Sequence, residues 1–300
     1  MKLITFAICH VLRQEGLKQS AVIKEFVQEG KGAMSTVERL ELSREQIEQL
    51  GLALYEAEQT ARAIAPLTAE HPALTVEQAY AIQQVLMGKR LENHKIVGRK
   101  VGLTSKAMQQ LLGVDQPDFG LLLDDMQIAD RGDCSISELI QPKVEPEIAF
   151  VMARDLSGPN LSAEQVLAAT AYVVPALEIV DSRIINWQIK LADTVADNAS
   201  SSHFVLGSSQ HPPEAFDLRL MGMLLWKNGE LIETGAGAAA LGHPANAVAW
   251  LGNKLAEFGA GFKAGEVVLP GALCKALAVE QGDEIKAEFY GIGAVSVRFV

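Results

Sequence analysis

The sequence predicts an α+β chain, with a small helical N-terminal part followed by a mostly β body. Three observations lead there. Two capping boxes, Ser43-Arg44-Glu45-Gln46 and Thr75-Val76-Glu77-Gln78, each open a stretch of helical texture before residue 95. From Ile96 onward, short apolar runs alternate with Gly, Asp and Pro. Asn228-Gly229 then sits between two such runs, which is a strong hairpin signal.

After Ser43, the apolar positions Ile47, Leu50, Leu54, Ala57 and Ala61 keep helical spacing. The second box opens a helix that runs towards Lys89 or Arg90 and stops at the Asn93-His94 turn. Residues 95–103 read as a glycine-flanked strand, 105–112 as a short helix, and Gln116 to Gly120 as a turn. Lys143 to Met152 reads as a strand, and Ser162 caps a helix to about Ala171. Tyr172 to Val180 is apolar on both faces, as in a buried strand. Asp193 to Asn198 reads as polar loop, followed by a strand from Phe204 to Leu206. Past the hairpin, Gly242-His243-Pro244 starts a helix, with His243 as its entry residue. The tail is β-rich to Val300. The domain division expected is an extension over 1–33, a helical part over 34–95 and a β-rich catalytic domain over 96–300, with Met34 as an alternative start.

With 49% apolar and 21% charged residues among 300, the chain has the makings of a real core. A net charge of −11 argues against nucleic acid and anionic membranes as partners. No apolar run is long enough to span a bilayer. Cys9, Cys134 and Cys274 are scattered, odd in number and without a CxxC, which fits a reducing cytoplasm and no zinc finger.

Glu145 and Glu147 lie two apart on one strand and so face the same way. A close, buried pair of carboxylates needs a proton or a cation, and hard oxygen donors suit Mg²⁺ or Mn²⁺ rather than zinc. The plainer reading is an edge strand with two solvated acids, and Pro146 fits an edge. Glu178 is an acid in the middle of an apolar strand. It either pairs with a cation such as Arg183 or joins Glu145 and Glu147 around a metal, and the second explains more. Lys100 sits in an otherwise apolar strand, either as an ordinary surface lysine or as one whose ammonium form a nearby divalent cation disfavours, so that it exchanges protons near neutral pH.

Other chemistries fail on context. Gly235-Ala236-Gly237-Ala238-Ala239-Ala240 fits GxGxxA, but a hairpin precedes it, so it reads as a small-residue loop approached closely by other backbone. Ser200 to His203 lacks a Gly-x-Ser-x-Gly elbow, and no HxH or HExxH occurs.

Several stretches together resemble the 2-keto-4-pentenoate hydratase family of the fumarylacetoacetate hydrolase superfamily. They are 98–105 (GRKVGLTS), 113–120 (GVDQPDFG), 143–147 (KVEPE), 175–183 (PALEIVDSR), 193–200 (DTVADNAS), 235–239 (GAGAA) and 242–244 (GHP). The resemblance runs from about Met34 to Val300. It implies a β-rich mixed roll with an N-terminal helical part. It also implies Mg²⁺ or Mn²⁺ on Glu145, Glu147 and Glu178, proton transfer by Lys100 and Asp118, and substrate contacts from Thr104 and Ser200. The implied reaction hydrates 2-hydroxypenta-2,4-dienoate to 4-hydroxy-2-oxopentanoate in meta-cleavage catabolism of aromatic compounds. The family usually assembles as a homo-oligomer, and pathway neighbours are further candidate partners. Pro270 stands where several relatives carry Thr or Ser, so no role is given to that turn. The sister 4-oxalocrotonate decarboxylases tend to lack a carboxylate where Asp118 stands, which favours the hydratase. A non-catalytic partner subunit of such a decarboxylase would not need Glu145, Glu147, Glu178, Lys100 and Asp118 all intact.

Overall fold

The structure is a computed structural model, and it describes residues 42–106, 109–110 and 113–300. The expected extension over 1–33 and the alternative start Met34 lie outside the described residues, as does part of the helix expected over 105–112.

Six helices are described: α1 (Arg44–Thr60), α2 (Leu67–Glu70), α3 (Val76–Arg90), α4 (Ala163–Ala169), α5 (Leu191–Ala196) and α6 (Pro244–Ala256). Both predicted capping boxes form at the starts of α1 and α3, each satisfying two backbone donors that a helix end leaves open. Ser162 caps α4 in the same way, and His243 Nδ1 accepts from Ala245 N–H to cap α6. Helix α1 packs on α3, and α3 packs on α5.

Thirteen strands are described: β1 (Ile96–Gly102), β2 (Asp118–Leu123), β3 (Gln127–Ile128), β4 (Gly132–Cys134), β5 (Lys143–Met152), β6 (Thr170–Val180), β7 (Ser201–Leu206), β8 (Gly222–Lys227), β9 (Glu230–Ala236), β10 (Val267–Leu269), β11 (Leu277–Ala278), β12 (Glu284–Phe289) and β13 (Gly293–Phe299). They make two mixed sheets. The larger has the order β2-β1-β10-β5-β6-β7-β3, with β11 also pairing β5. The smaller has the order β4-β13-β12-β8-β9, and β12 and β13 pack over β6. Phe150, Leu177 and Phe204 are fully buried in the larger sheet, each contributing about 1.5–3 kcal/mol of burial free energy.

Three local expectations change. The strand carrying Glu145 and Glu147 is interior, with β6 along one edge and β10 and β11 along the other. Pro146 is tolerated because those two partners meet β5 at different places, Phe150–Val151 and Lys143–Val144, and leave a gap between them. The Pro146 carbonyl instead accepts from Leu273 N–H in the loop that crosses this gap. The Pro-Asp-Phe-Gly stretch is not a turn, since Asp118 to Gly120 begin β2, with Asp118 opposite Gly102 and Gly120 opposite Lys100. Residues 191–196 form a helix rather than loop, because Asp193 caps it from Lys190 N–H and is buried by accepting from Thr68 N–H and Oγ1. The small-residue loop behaves as expected: a Cβ on Gly237 would lie 1.8 Å from the Leu218 carbonyl oxygen.

Candidate active site

The site is built on β2 and β1 and, across the short β10, on β5 and β6. Glu145 and Glu147 share a face of β5, and Glu178 of β6 is the direct cross-strand partner of Glu145. Oxygens from all three acids lie within 4.8 Å of one another. Oxygens on opposite sides of one hard dication stand about 4–5 Å apart, so the three fit a single ion. Glu147 and Glu178 are fully buried, while Glu145 keeps some solvent contact at its open end.

The hydrogen bonding leaves those acids short of partners. Glu147 Oε2 accepts from Gly271 N–H at 2.7 Å, and Glu178 Oε1 accepts from Ser201 Oγ at 2.9 Å. Glu147 Oε1 and Glu178 Oε2 are buried with no hydrogen-bond partner among the described residues. Buried carboxylate oxygens without donors are costly unless a cation takes the place of water. The donor set therefore fits a divalent metal. Burial, then the Glu178 charge, pushes the Glu145 carboxyl up to about 7, and the same two causes hold Glu147 well above the usual carboxylate range.

The Arg183 partner considered for Glu178 belongs elsewhere. Arg183 is buried against Asp197, with its Nε donating to Asp197 Oδ1 and its backbone N–H donating to Asp197 Oδ2 at 2.9 Å. The cation beside Glu178 is Lys100, whose Nζ lies 3.3 Å from Glu178 Oε1 and donates to the Ala199 carbonyl at 3.0 Å.

Lys100 is buried, so it is not a surface lysine. Burial alone pushes its ammonium down, but the charges of Glu178, Asp118, Glu145 and Glu147 overrule it and hold the pKa above the ordinary value.

Asp118 is buried and lies diagonally across the β1–β2 ladder from Lys100. Gly102 makes room between them, since a Cβ there would lie 2.2 Å from Asp118 Oδ1 and 3.2 Å from Lys100 Nζ. Thr194 Oγ1 donates to Asp118 Oδ2 at 3.2 Å, while Asp118 Oδ1 has no hydrogen-bond partner among the described residues. Burial pushes the Asp118 carboxyl up, against the opposing pull of Lys100 and Thr194.

Asn198, Ala199 and Ser200 are three successive residues in the left-handed region, with φ of 53°, 51° and 55°. Such a run stores strain, and it aims the Ala199 carbonyl at Lys100. Asp197, held by Arg183, anchors its start. Gly120 admits the loop, because a Cβ there would lie 2.4 Å from the Asn198 carbonyl oxygen. Ser200 Oγ stands 3.5 Å from Thr194 Oγ1. Thr104 is buried beside Gly271. The hydrogen bond that the turn after Pro270 gives to the site comes from the backbone of Gly271 rather than from a side chain.

Reading by residue type missed Thr194 and Asn198, which bear on Asp118 and its strand. Asn198 Oδ1 accepts from Leu121 N–H and its Nδ2 donates to the Leu121 carbonyl. The signal was their place within the run DNAS and just ahead of it, but their partners are far away in sequence.

A second group, His94 with Asp124 and Asp125, also places ligand atoms within 4.8 Å. It borders a polar cleft of about 470 Å³ that Arg183 also lines but that none of Lys100, Asp118, Glu145, Glu147 and Glu178 reaches.

Residues 100–300 match the fumarylacetoacetate (FAA) hydrolase C-terminal family. A 2-keto-4-pentenoate hydratase of Paraburkholderia xenovorans is 48% identical over 259 residues, covering 86% of this chain and 96% of the relative. A 4-oxalocrotonate decarboxylase of Pseudomonas putida is 43% identical over 260 residues, covering 86% and 98%. The solved structure of a 4-oxalocrotonate decarboxylase from Pseudomonas putida G7, complexed with magnesium and adipate, superposes with a TM-score of 0.84 at 41% identity, over 87% of this chain and 99% of that one. With its two packed mixed sheets, its short N-terminal helices and these likenesses, the chain belongs to the fumarylacetoacetate hydrolase family.

Proposed function

We propose that the chain is a metal-dependent hydro-lyase of meta-cleavage catabolism of aromatic compounds, adding water to 2-hydroxypenta-2,4-dienoate to give 4-hydroxy-2-oxopentanoate. The observation that carries this reading is Asp118, a buried carboxyl with one free oxygen, set beside Lys100 and the three glutamates. Hydratases at up to 50% identity support it. In this reading residues 96–300 are the catalytic part, and the helices before Ile96 cover one side of it.

Glu145, Glu147 and Glu178 hold the ion, Mg²⁺ or Mn²⁺. When bound, it supplies a Lewis acid for the oxygens of a 2-keto acid. Lys100 delivers a proton to C5 of the dienol and recovers one as the C2 hydroxyl becomes a carbonyl, which leaves an α,β-unsaturated ketone. Asp118 takes a proton through Oδ1 from the water that adds at C4 and returns it to C3, which completes the product. Thr194 holds the other Asp118 oxygen, so the carboxylate presents one edge to the water. Thr104 and Ser200 offer hydroxyls to the substrate. A homo-oligomer and a cytoplasmic setting belong to the same reading. The free thiols Cys134 and Cys274 suit a reducing compartment, and no helix among the described residues is long and apolar enough to cross a membrane.

The alternative is decarboxylation of 4-oxalocrotonate, favoured by the 43% identical relative. Loss of CO₂ needs no acid to direct water, which leaves Asp118 without work. The deciding experiment incubates the purified chain and Mg²⁺ with freshly generated 2-hydroxypenta-2,4-dienoate and, separately, with 4-oxalocrotonate. Conversion of the first alone to 4-hydroxy-2-oxopentanoate is expected. CO₂ release from the second moves the protein to the other branch, and no turnover of either makes it a partner subunit.

A further inference from the structure

Strand β2, which carries Asp118, is the outer edge of the larger sheet. Among the described residues no strand pairs its free side, so its outward backbone groups need other partners. Asn198 takes both groups of Leu121. The Phe119 carbonyl, directly after Asp118, is taken by Gln83 of α3: Gln83 Nε2 donates to it at 3.0 Å. The same nitrogen donates at 2.9 Å to the Val195 carbonyl, directly after Thr194. Val195 lies in the last turn of the six-residue helix α5, where carbonyls lack intrahelical partners.

One buried carboxamide nitrogen thus ties together the two backbone positions that flank a side-chain contact, Thr194 Oγ1 to Asp118 Oδ2. The Tyr80 ring, one helical turn before Gln83, stacks on Phe119 with centroids 4.6 Å apart and keeps solvent off the link. Gln83 and Tyr80 both precede residue 100, where the match to the family begins.

We infer that Gln83 is a positioning residue that sets Asp118 against Thr194, so that the helical N-terminal part helps to tune the proton-transfer side of the site. Its two hydrogen bonds fix the offset between β2 and α5, and that offset decides which Asp118 oxygen faces the reacting water. The metal side of the site is untouched by Gln83, because Glu145, Glu147 and Glu178 stand on interior strands. The catalytic consequence rests on the hydratase reading, while the link itself does not.

Gln83→Met removes the donor and keeps the side-chain length. The expected result is a loss in kcat of about ten- to a hundredfold, the scale of an ångström-level misplacement. KM for the dienoate and the Mg²⁺ concentration for half-activity stay within about twofold of wild type, the latter by analogy with a displaced proton group rather than a lost ligand. Gln84→Met, at the next position of the same helix, is the control for helix stability and keeps wild-type kcat. The losses of Gln83→Met and Thr194→Val should fall well short of multiplying in the double variant, because both act through Asp118. Hydrogen exchange of a peptide over 118–123 supplies a readout without turnover. Gln83→Met speeds it and Gln84→Met does not, whether or not the wild type hydrates the dienoate. Multiplicative losses, equal losses from the two glutamine variants, or unchanged exchange over 118–123 would each overturn the inference. A wild type that turns over no dienoate but still shows the exchange difference removes the hydratase reading and leaves the positioning link standing.

Discussion

The two halves of the site are held by different means. The three glutamates stand on β5 and β6, neighbouring strands that are each paired along both edges, so a backbone ladder fixes where they point. Asp118 stands on β2, paired along one edge only, and its free side is held by the side chains of Gln83 and Asn198. A ladder of many hydrogen bonds tolerates the loss of one, whereas a single carboxamide has no substitute. The carboxylate cradle should therefore respond to changes in its own ligands and to little else, while the proton-transfer side should respond to changes a full residue or more from the reacting atoms.

The sharpest way to break the comparison is at the cradle. Glu147→Gln keeps the shape and the hydrogen bond from Gly271 but removes a charge from the ion's donors. Metal-dependent turnover should fall by on the order of a thousandfold or more, several kcal/mol of transition-state stabilisation. The fold should persist, since losing one of several crowded acids relieves repulsion. A steady-state assay against Mg²⁺ concentration, with circular dichroism alongside, checks it. Activity near wild type would remove Glu147 from the metal site.

A smaller effect is expected at Gly102, where the change touches no ligand. The added methyl of Gly102→Ala would meet Asp118 Oδ1 at 2.2 Å and Lys100 Nζ at 3.2 Å. One of the two must move, and a displacement near 1 Å costs roughly a hundredfold in rate. Because the cradle is built on other strands, titration calorimetry of Mg²⁺ binding should give an affinity within about threefold of wild type by the same reasoning about independent sites. A large loss of Mg²⁺ affinity would mean that the two halves are not separable.

Legibility in the sequence divides along the same line. The period-two placement of Glu145 and Glu147 and the acid inside an apolar strand at Glu178 are local patterns, and both survive in the structure. The two capping boxes and the Ser162 cap are local too, and all form. What was misread depends on distant partners. Pro-Asp-Phe-Gly has turn chemistry, yet β1 pairs with Asp118 to Gly120 and overrides it. Pro146 marks an edge in most strands, but here the gap lies between two partner strands that are far away in sequence. Asp193 to Asn198 is polar because its side chains satisfy other segments, including Thr68 and Leu121, rather than water. Gln83 has no local pattern at all, being one of several glutamines in a helix without a clear apolar stripe, and its partners are 36 and 112 residues away.

The mildest test concerns stability rather than rate, and it asks whether the cradle is frustrated by its own charge. Burial and Glu178 raise the Glu145 carboxyl to about 7, and Glu147 is also raised. A group whose folded pKa lies above its unfolded value binds its proton more tightly in the folded state. Its contribution to stability is complete below the unfolded pKa, near 4.3 for a glutamate, and is lost as pH rises through about 7. Chelator-treated protein should therefore lose thermal stability between about pH 5 and 8 on account of these acids. Mg²⁺ replaces the missing protons, so the rise in Tm on adding a fixed Mg²⁺ excess should be larger at pH 8 than at pH 5.5, by a few degrees or so. Asp118→Asn, outside the cradle, should leave that pH-dependent gap nearly as large, whereas Glu147→Gln should shrink it. A gap of equal size at both pH values would mean that the glutamates carry their charge in the fold without strain.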